Sequence, residues 1–367
     1  MKSPEELRKY NMLKVLRFIS KVKKSTKSEI AKATSLTLVT VSSIINQLYE
    51  GKIVVEKEVN THNKGRNSIV YAFNNNRNHI IGINIGIDYI AFRKENLEGE
   101  VIDSKYYKST SAITYSKIID NIKEYIYNQE NIIGIGITIP GVSNKNTGVI
   151  DFSPNVKNLR NKHLQQDIAN LTNIFTKVEK DVYAGVSLLK ENECENSIAL
   201  ISIRGGIGCG IMYNGTIFKG NSSMAGEIGH ISINPLGPKC SCGQKGCAEQ
   251  YISDYALKES LGISIKEIID KGNKGEIKSV NALKSACDSL EILLGYVNKF
   301  YDPQEIVINC KWLYEVEYIQ EYFNKLIAKY NNIVTIIYDK YNYEKGAVNI
   351  IKKELLFNIE NNILLGG

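Results

Sequence analysis

His230 is followed, after nine intervening residues, by Cys240, and then by Cys242 and Cys247. One imidazole and three thiols at this spacing make a closed tetrahedral donor set, the kind suited to structural Zn²⁺, and they oblige the intervening chain to fold back on itself. Gly243 and Gly246 permit so tight a path. Because the protein supplies all four ligands, the metal is expected to act as a staple and not as a Lewis acid. The other cysteines, Cys194, Cys209, Cys287 and Cys310, are scattered and form no even disulfide framework, as expected of a reduced, cytoplasmic chain.

A chain of 367 residues exceeds one compact core, so two or three domains are expected. No apolar run reaches the roughly 18 to 20 residues of a membrane span, and the amino terminus reads as a charged amphipathic pattern rather than a signal peptide. A soluble chain without a membrane partner follows as the expectation. The net charge of +7 is unevenly placed, since residues 1–75 carry 14 Lys and Arg against 6 Asp and Glu. The remainder is close to neutral. A basic module attached to a neutral body is the electrostatic footprint of nucleic-acid binding.

Within that module, Met12, Val15, Leu16, Ile19 and Val22 recur at helical spacing after Pro4. A second short helix is expected over 28–33 and a turn over 34–36. Thr37 is a suitable N-cap for a third helix running to about Glu50, with Val41, Ile44, Ile45 and Leu48 on its apolar face. Thr37, Val39, Thr40 and Ser43 on its leading turns lie where a recognition helix meets bases and phosphates. Two alternating strands, 52–59 and 68–73, flank a basic turn whose Lys64 and Arg66 are placed to reach DNA. The module over 1–75 therefore reads as a winged helix-turn-helix.

From Ile80 onward strands and helices alternate: strands over 80–85, 89–93, 101–107 and 132–139, a helix over 113–128, then strands over 148–152, 174–179, 197–203 and 210–213, with a helix over 182–192. A long helix over 281–300 leads to a strand over 305–309 and to further helix, strand and helix. This order specifies layered α/β domains, here a lobe over 80–182 completed by a final helix at about 340–367, and a second lobe over 183–339 containing the metal loop. Near that loop, Glu227 and His230 are three residues apart and Glu249 follows the last cysteine by two. With Asn155 and Asp181 they supply the carboxylate and amide partners that polyol hydroxyls need.

Met224-Ala225-Gly226-Glu227-Ile228-Gly229-His230, followed by the stretch Cys240 to Glu249, resembles the signature of the ROK family of repressors, open reading frames and sugar kinases. Thr138 to Gly141, Ser153-Pro154-Asn155 and Glu179-Lys180-Asp181 match the family's sugar-side positions, and Leu36 to Ser42 looks like the helix-turn-helix of its repressor branch. The resemblance implies an actin-like, ribonuclease-H-like fold of two α/β lobes. It implies that Asn155, Asp181, Glu227, His230 and Glu249 bind sugar, and that His230 serves both metal and sugar.

Three elements depart from the family's kinases. The first phosphate strand, usually Asp-x-Gly-Gly-Thr, is Asn84-Ile85-Gly86-Ile87-Asp88; the second phosphate loop is Arg204-Gly205-Gly206-Ile207-Gly208, without its threonine; and Asn309-Cys310 stands where a Gly-Gly pair is usual. Lys180 replaces a usual asparagine. The expectation is a repressor that has lost catalysis, binds operator DNA as a homodimer, and is released by a sugar, xylose being the first choice. The alternative is a sugar kinase that has kept ATP chemistry and gained a DNA-binding arm.

Overall fold

The computed structural model describes residues 4–59, 68–86, 89–109, 113–144, 147–153, 156–189, 197–330, 333–338 and 342–358. The amino-terminal module contains α1 (Pro4–Val22), β1 (Lys24–Ser25), α2 (Lys27–Thr34), α3 (Leu38–Glu50), β2 (Val54–Val59) and β3 (Ser68–Phe73). Both boundaries that matter for α2 and α3 are set by side chains. Thr26 and Glu29 form a reciprocal capping box, Ser35 leaves α2 in the left-handed region, and Thr37 caps α3 by accepting from the Thr40 backbone N–H at 3.1 Å. The strands form a small antiparallel sheet in the order β1-β3-β2. The two-residue β1 is too short to leave a periodic trace in the sequence. Lys64 and Arg66 lie outside the described residues.

The next strands are β4 (His79–Ile85), β5 (Tyr89–Asn96) and β6 (Val101–Lys108), followed by α4 (Tyr115–Tyr127) and β7 (Ile132–Ile139). A small hairpin of β8 (Val142–Ser143) and β9 (Ile150–Phe152) precedes α5 (Leu164–Thr172), β10 (Thr176–Lys180) and α6 (Asp181–Leu189). Then come β11 (Ile198–Ile203), β12 (Ile207–Tyr213) and β13 (Thr216–Ile217). Three helices, α7 (Glu249–Ile252), α8 (Asp254–Leu261) and α9 (Ile265–Asn273), lead into the 25-residue α10 (Ile277–Tyr301). The chain continues through β14 (Glu305–Cys310), α11 (Lys311–Glu315), α12 (Glu317–Ile327), β15 (Ile333–Ile337) and α13 (Tyr343–Asn358).

Two five-stranded sheets result, ordered β10-β7-β4-β5-β6 and β13-β12-β11-β14-β15. Each has the same plan. A first strand pairs antiparallel with the second on one side and parallel with the fourth on the other, as β4 does with β5 and β7 and as β11 does with β12 and β14. The parallel pairings require crossover helices, and the central strands β4 and β11 are buried along their whole length.

Contacts group the chain into two units, one of residues 1–138, 165–178 and 347–367 and the other of 139–164 and 179–346. This division differs from the expected boundaries at 75 and 182. In the first unit, Met12, Val15, Leu16, Ile19, Leu48 and Phe73 of the amino-terminal module share one core with Ile80, Leu97 and the α13 residues Val348, Ile351 and Leu355. In the second, α6 packs on β11 and β12, which draws residues from 179 onward into that unit. The packing is close. A Cβ at Gly210 would lie 2.2 Å from the carbonyl oxygen of Val182, so β12 approaches α6 only because position 210 has no side chain. Gly210→Ala is expected to destabilise the protein by about 1–3 kcal/mol through forced separation of helix and sheet; denaturant unfolding that matches the parent protein would contradict this packing.

Candidate functional site

In the second unit the chain returns from β13 through a loop that enters a single helical turn, Ile228–His230. Gly226 makes the entry possible: its φ is +82°, and a Cβ there would meet the Cys209 carbonyl oxygen at 1.8 Å. The Cys209 N–H donates to the Gly226 carbonyl at 2.9 Å, tying the turn to β12. Glu227 and His230 then sit on one side of that turn, with Glu227 Oε2 3.7 Å from His230 Nε2.

The other ring nitrogen faces the cysteines. His230 Nδ1 is 3.5 Å from Cys240 Sγ, Cys242 Sγ is 3.6 Å from Cys247 Sγ, and the four donor atoms all lie within 4.8 Å of one another. A tetrahedron with metal–sulfur bonds of about 2.3 Å has sulfur–sulfur edges of about 3.8 Å, so the donors are spaced for one ion. Isolated pairings of Ser232 with Cys247 and of Lys239 with Lys245 fold the loop into this form. The cluster could hold a metal ion through His230, Cys240, Cys242 and Cys247, as the sequence spacing anticipates.

Carboxylates gather beside it. Glu249 opens α7, is buried, and accepts from the Ile207 backbone N–H at 3.0 Å through Oε2. Burial raises its pKa, opposed by that hydrogen bond. Asp181 opens α6 and accepts from the Val182 N–H at 2.8 Å through Oδ1. Its pKa is pushed up to about 6 by desolvation, with the positive charges of Arg204 and Lys180 pulling the other way and Glu227 adding to the rise. Lys180, the last residue of β10, forms an ion pair with Glu227 Oε1. Asp181, Glu227, His230 and Glu249 thus belong to one electrostatic neighbourhood; Asn155 lies outside the described residues. Sequence reasoning identified Lys180 only as a departure and did not anticipate its pairing, because Glu227 lies 47 positions away.

Arg204 is a further group that the sequence marked only as a loop change. Its guanidinium lies 4.8 Å from the centroid of the Tyr343 ring, and Tyr343 shares a 3.0 Å hydrogen bond with Ser202. In the first unit, the ring of Tyr89 covers Gly86, where an added Cβ would lie 2.1 Å from it, and its hydroxyl accepts from the Asn84 amide at 2.9 Å. Asp88 lies outside the described residues.

On α3, Val39 is 80% exposed, Thr37 and Ser43 are exposed, and Thr40 is half-buried. The Thr37 hydroxyl caps the helix and lies 2.9 Å from the Thr40 hydroxyl, so each is already hydrogen-bonded. Val39 and Ser43 are the more available of the four.

Two α/β sheets of one strand plan, a carboxylate group beside a His-Cys₃ cluster and a helical amino-terminal module define a two-lobed, sugar-kinase-type fold with an added helical domain. A family model described as "ROK family" matches residues 80–348, and the chain belongs to the ROK family. It is 32% identical over 317 residues to the xylose repressor of Bacillus spizizenii, covering 82% of each chain. It is 25% identical over 332 residues to the dual regulator NagC of Escherichia coli, covering 82% of this chain and 80% of that one. Among solved structures, a ROK family transcriptional regulator, a homologue of the E. coli MLC protein, superposes with a TM-score of 0.81 at 20% identity over 98% of this chain and 100% of its own. A ROK hexokinase from Thermus thermophilus gives 0.64 at 19% identity over 76% of this chain and 99% of its own.

The raised Asp181 pKa has a defined sign. A carboxyl that titrates at about 6 when folded and at its ordinary 3.8 when unfolded binds its proton more tightly in the fold, so the stability it contributes is full below about pH 4 and is lost as pH rises through about 6. Asp181→Asn should match the parent protein near pH 4 and exceed it by about 1–3 kcal/mol above pH 6.5. Thermal unfolding at both values checks this; a difference independent of pH would mean that ionisation of Asp181 costs the fold nothing.

Proposed function

We propose that this protein is a sugar-responsive transcriptional repressor whose effector is xylose. The observation that carries the reading is the similarity to xylose repressors over 82% of the chain, in a molecule that joins an exposed α3 surface to a buried carboxylate group suited to a polyol. In this reading the module over 1–75 is a winged helix-turn-helix. Its α3 enters the operator major groove, with Val39 and Ser43 toward base edges and Thr37 and Thr40 toward the backbone, while Lys64 and Arg66 reach phosphates or the minor groove. The molecule acts as a homodimer in the cytoplasm, because two-fold operators are read by two-fold proteins.

Asn155, Asp181, Glu227, His230 and Glu249 hold the sugar. Carboxylates fixed by one oxygen to backbone N–H groups, as Asp181 and Glu249 are, present the other oxygen in a defined direction, which is what discrimination among epimers requires. The bound ion is structural zinc, held by His230, Cys240, Cys242 and Cys247, and it orients the imidazole whose other nitrogen lies beside Glu227. Sugar can alter operator affinity only by binding the DNA-competent and DNA-released conformations unequally, and a coupling of about 1–3 kcal/mol is ordinary.

The kinase alternative draws on Asp181 and on the fold shared with the hexokinase. Against it stand the Tyr89 ring over Gly86 and the Arg204 guanidinium over the Tyr343 ring, since Gly86 and Arg204 fall in the segments that match the phosphate loops of family kinases. Asp181 then serves as a hydrogen-bond acceptor for a sugar hydroxyl.

Elemental analysis of the purified protein should find one zinc per chain, and Cys242→Ser should lose it, with a fall in Tm and in sugar affinity; retention of both without metal would refute the staple. In gel shifts, DNA flanking the protein's own gene is expected to be bound with steep salt dependence and released by xylose. Operator affinity unchanged across a panel of pentoses and hexoses would remove the effector from this reading, and ADP release on mixing sugar with ATP would replace it by the kinase.

A further inference from the structure

Lys180 has a specific and unusual placement. Its side chain is only 5% exposed, its ammonium is paired with Glu227 Oε1, and it lies 5.5 Å from the centroid of the Tyr183 ring. That ring is fixed in turn. Tyr183 is buried, and its hydroxyl lies within hydrogen-bond reach of three backbone carbonyls, those of Ala225 at 3.0 Å, Ser223 at 3.2 Å and Lys219 at 3.4 Å. A second lysine, Lys219, lies 5.9 Å from the same ring but serves a different acid, Glu179, at 2.7 Å. Lys180 is therefore not needed to neutralise Glu179. Its charge is committed to Glu227, among Asp181, Glu227 and Glu249.

Glu227 is consequently held from two directions, by Lys180 on Oε1 and by His230 Nε2, 3.7 Å from Oε2. The ammonium itself carries three N–H donors and no acceptor, whereas an amide at this position could both donate and accept. One donor goes to Glu227. The others can be used only by an oxygen that accepts. An ammonium placed directly against Lys180 is repelled by it, whereas an anionic group would face the carboxylates of Asp181, Glu227 and Glu249.

We propose that Lys180 is a specificity-determining residue of the effector site: it pins Glu227 and donates to one hydroxyl oxygen of an uncharged sugar, selecting against amino sugars and sugar phosphates. The proposal rests on the effector reading above and goes beyond it in naming the class of ligand and the group that selects it. A site built to bond a particular oxygen discriminates sharply against the analogue that lacks it.

The test is titration calorimetry on the full-length protein with xylose, its single-deoxy analogues, glucosamine and xylose 5-phosphate, using the parent chain, Lys180→Met and Lys180→Arg. The parent chain should bind xylose and neither charged sugar. Lys180→Met should lose at least tenfold in xylose affinity, with Lys180→Arg recovering part of it. One deoxy analogue, lacking the oxygen that faces Lys180, should bind the parent and Lys180→Met alike, closing a double-mutant cycle on that one contact. Zinc content and sugar-free operator affinity should be unchanged in Lys180→Arg, which keeps a cation against Glu227, and this separates a ligand contact from misfolding. A loss of equal size for every analogue, or no loss at all, overturns the proposal while leaving the effector reading standing. Tight binding of either charged sugar overturns the proposal as well. Failure of the parent chain to bind any uncharged sugar overturns both.

Discussion

The second unit's site depends on where one imidazole points. His230 directs Nδ1 toward the thiols and Nε2 toward Glu227, and an aromatic ring allows no independent movement of the two. The metal loop and the first acid are thereby locked in register. Glu227 carries the constraint onward through its ion pair to Lys180, and Lys180 is covalently next to Asp181 at the head of α6. A loop, a helical turn, a strand end and a helix start are thus connected by charge compensation in a poorly solvated region. Such compensation is unforgiving, because removing one partner leaves the other desolvated and unpaired, which costs more than the pair itself contributes. The arrangement is therefore held as a set.

How legible this was in the sequence depended on the distance over which each interaction acts. The four metal donors fall within one short loop, and the capping residue Thr37 immediately precedes its helix, so both could be read directly. Strand β7 was expected at 132–139 and is found there, because a buried strand is a continuous apolar run. The helices α7, α8 and α9 were not anticipated, although their punctuation is present: Ser253 and Ser264 are N-caps and Gly262 is a left-handed C-cap. Each is at most nine residues long, too short for periodicity to stand out from its caps. The Lys180–Glu227 pair and the stacking of Arg204 on Tyr343 join positions far apart in the chain, and no local pattern encodes them. The shared plan of the two sheets was equally hidden. It is a repetition of strand order, with little trace in side-chain sequence.

The division into units follows from the same physics. Burial of Met12, Val15 and Phe73 together with Ile80, Leu97 and Val348 gives the amino-terminal module a core that it does not own alone. A three-helix module of this size has little interior, and small domains are marginal when their cores stand alone. Sharing a core with β4 and with α13 stabilises the module and also removes much of its freedom to tumble. Its basic charge is then presented from a fixed base.

A sensor and a catalyst ask different things of the same carboxylates. Catalysis requires contacts that strengthen in a transition state, whereas an effector site requires only that two protein conformations bind the ligand unequally. Asp181 bears on both demands. Its carboxylate receives a backbone N–H at one oxygen, and although desolvation raises its pKa to about 6, Arg204 and Lys180 limit the rise and leave it mainly ionised at neutral pH, with the other oxygen able to accept a hydrogen bond. The cations limit the rise that desolvation causes but do not cancel it, so Asp181 remains more basic than a solvated carboxylate. The electrostatics around Asp181 suit recognition.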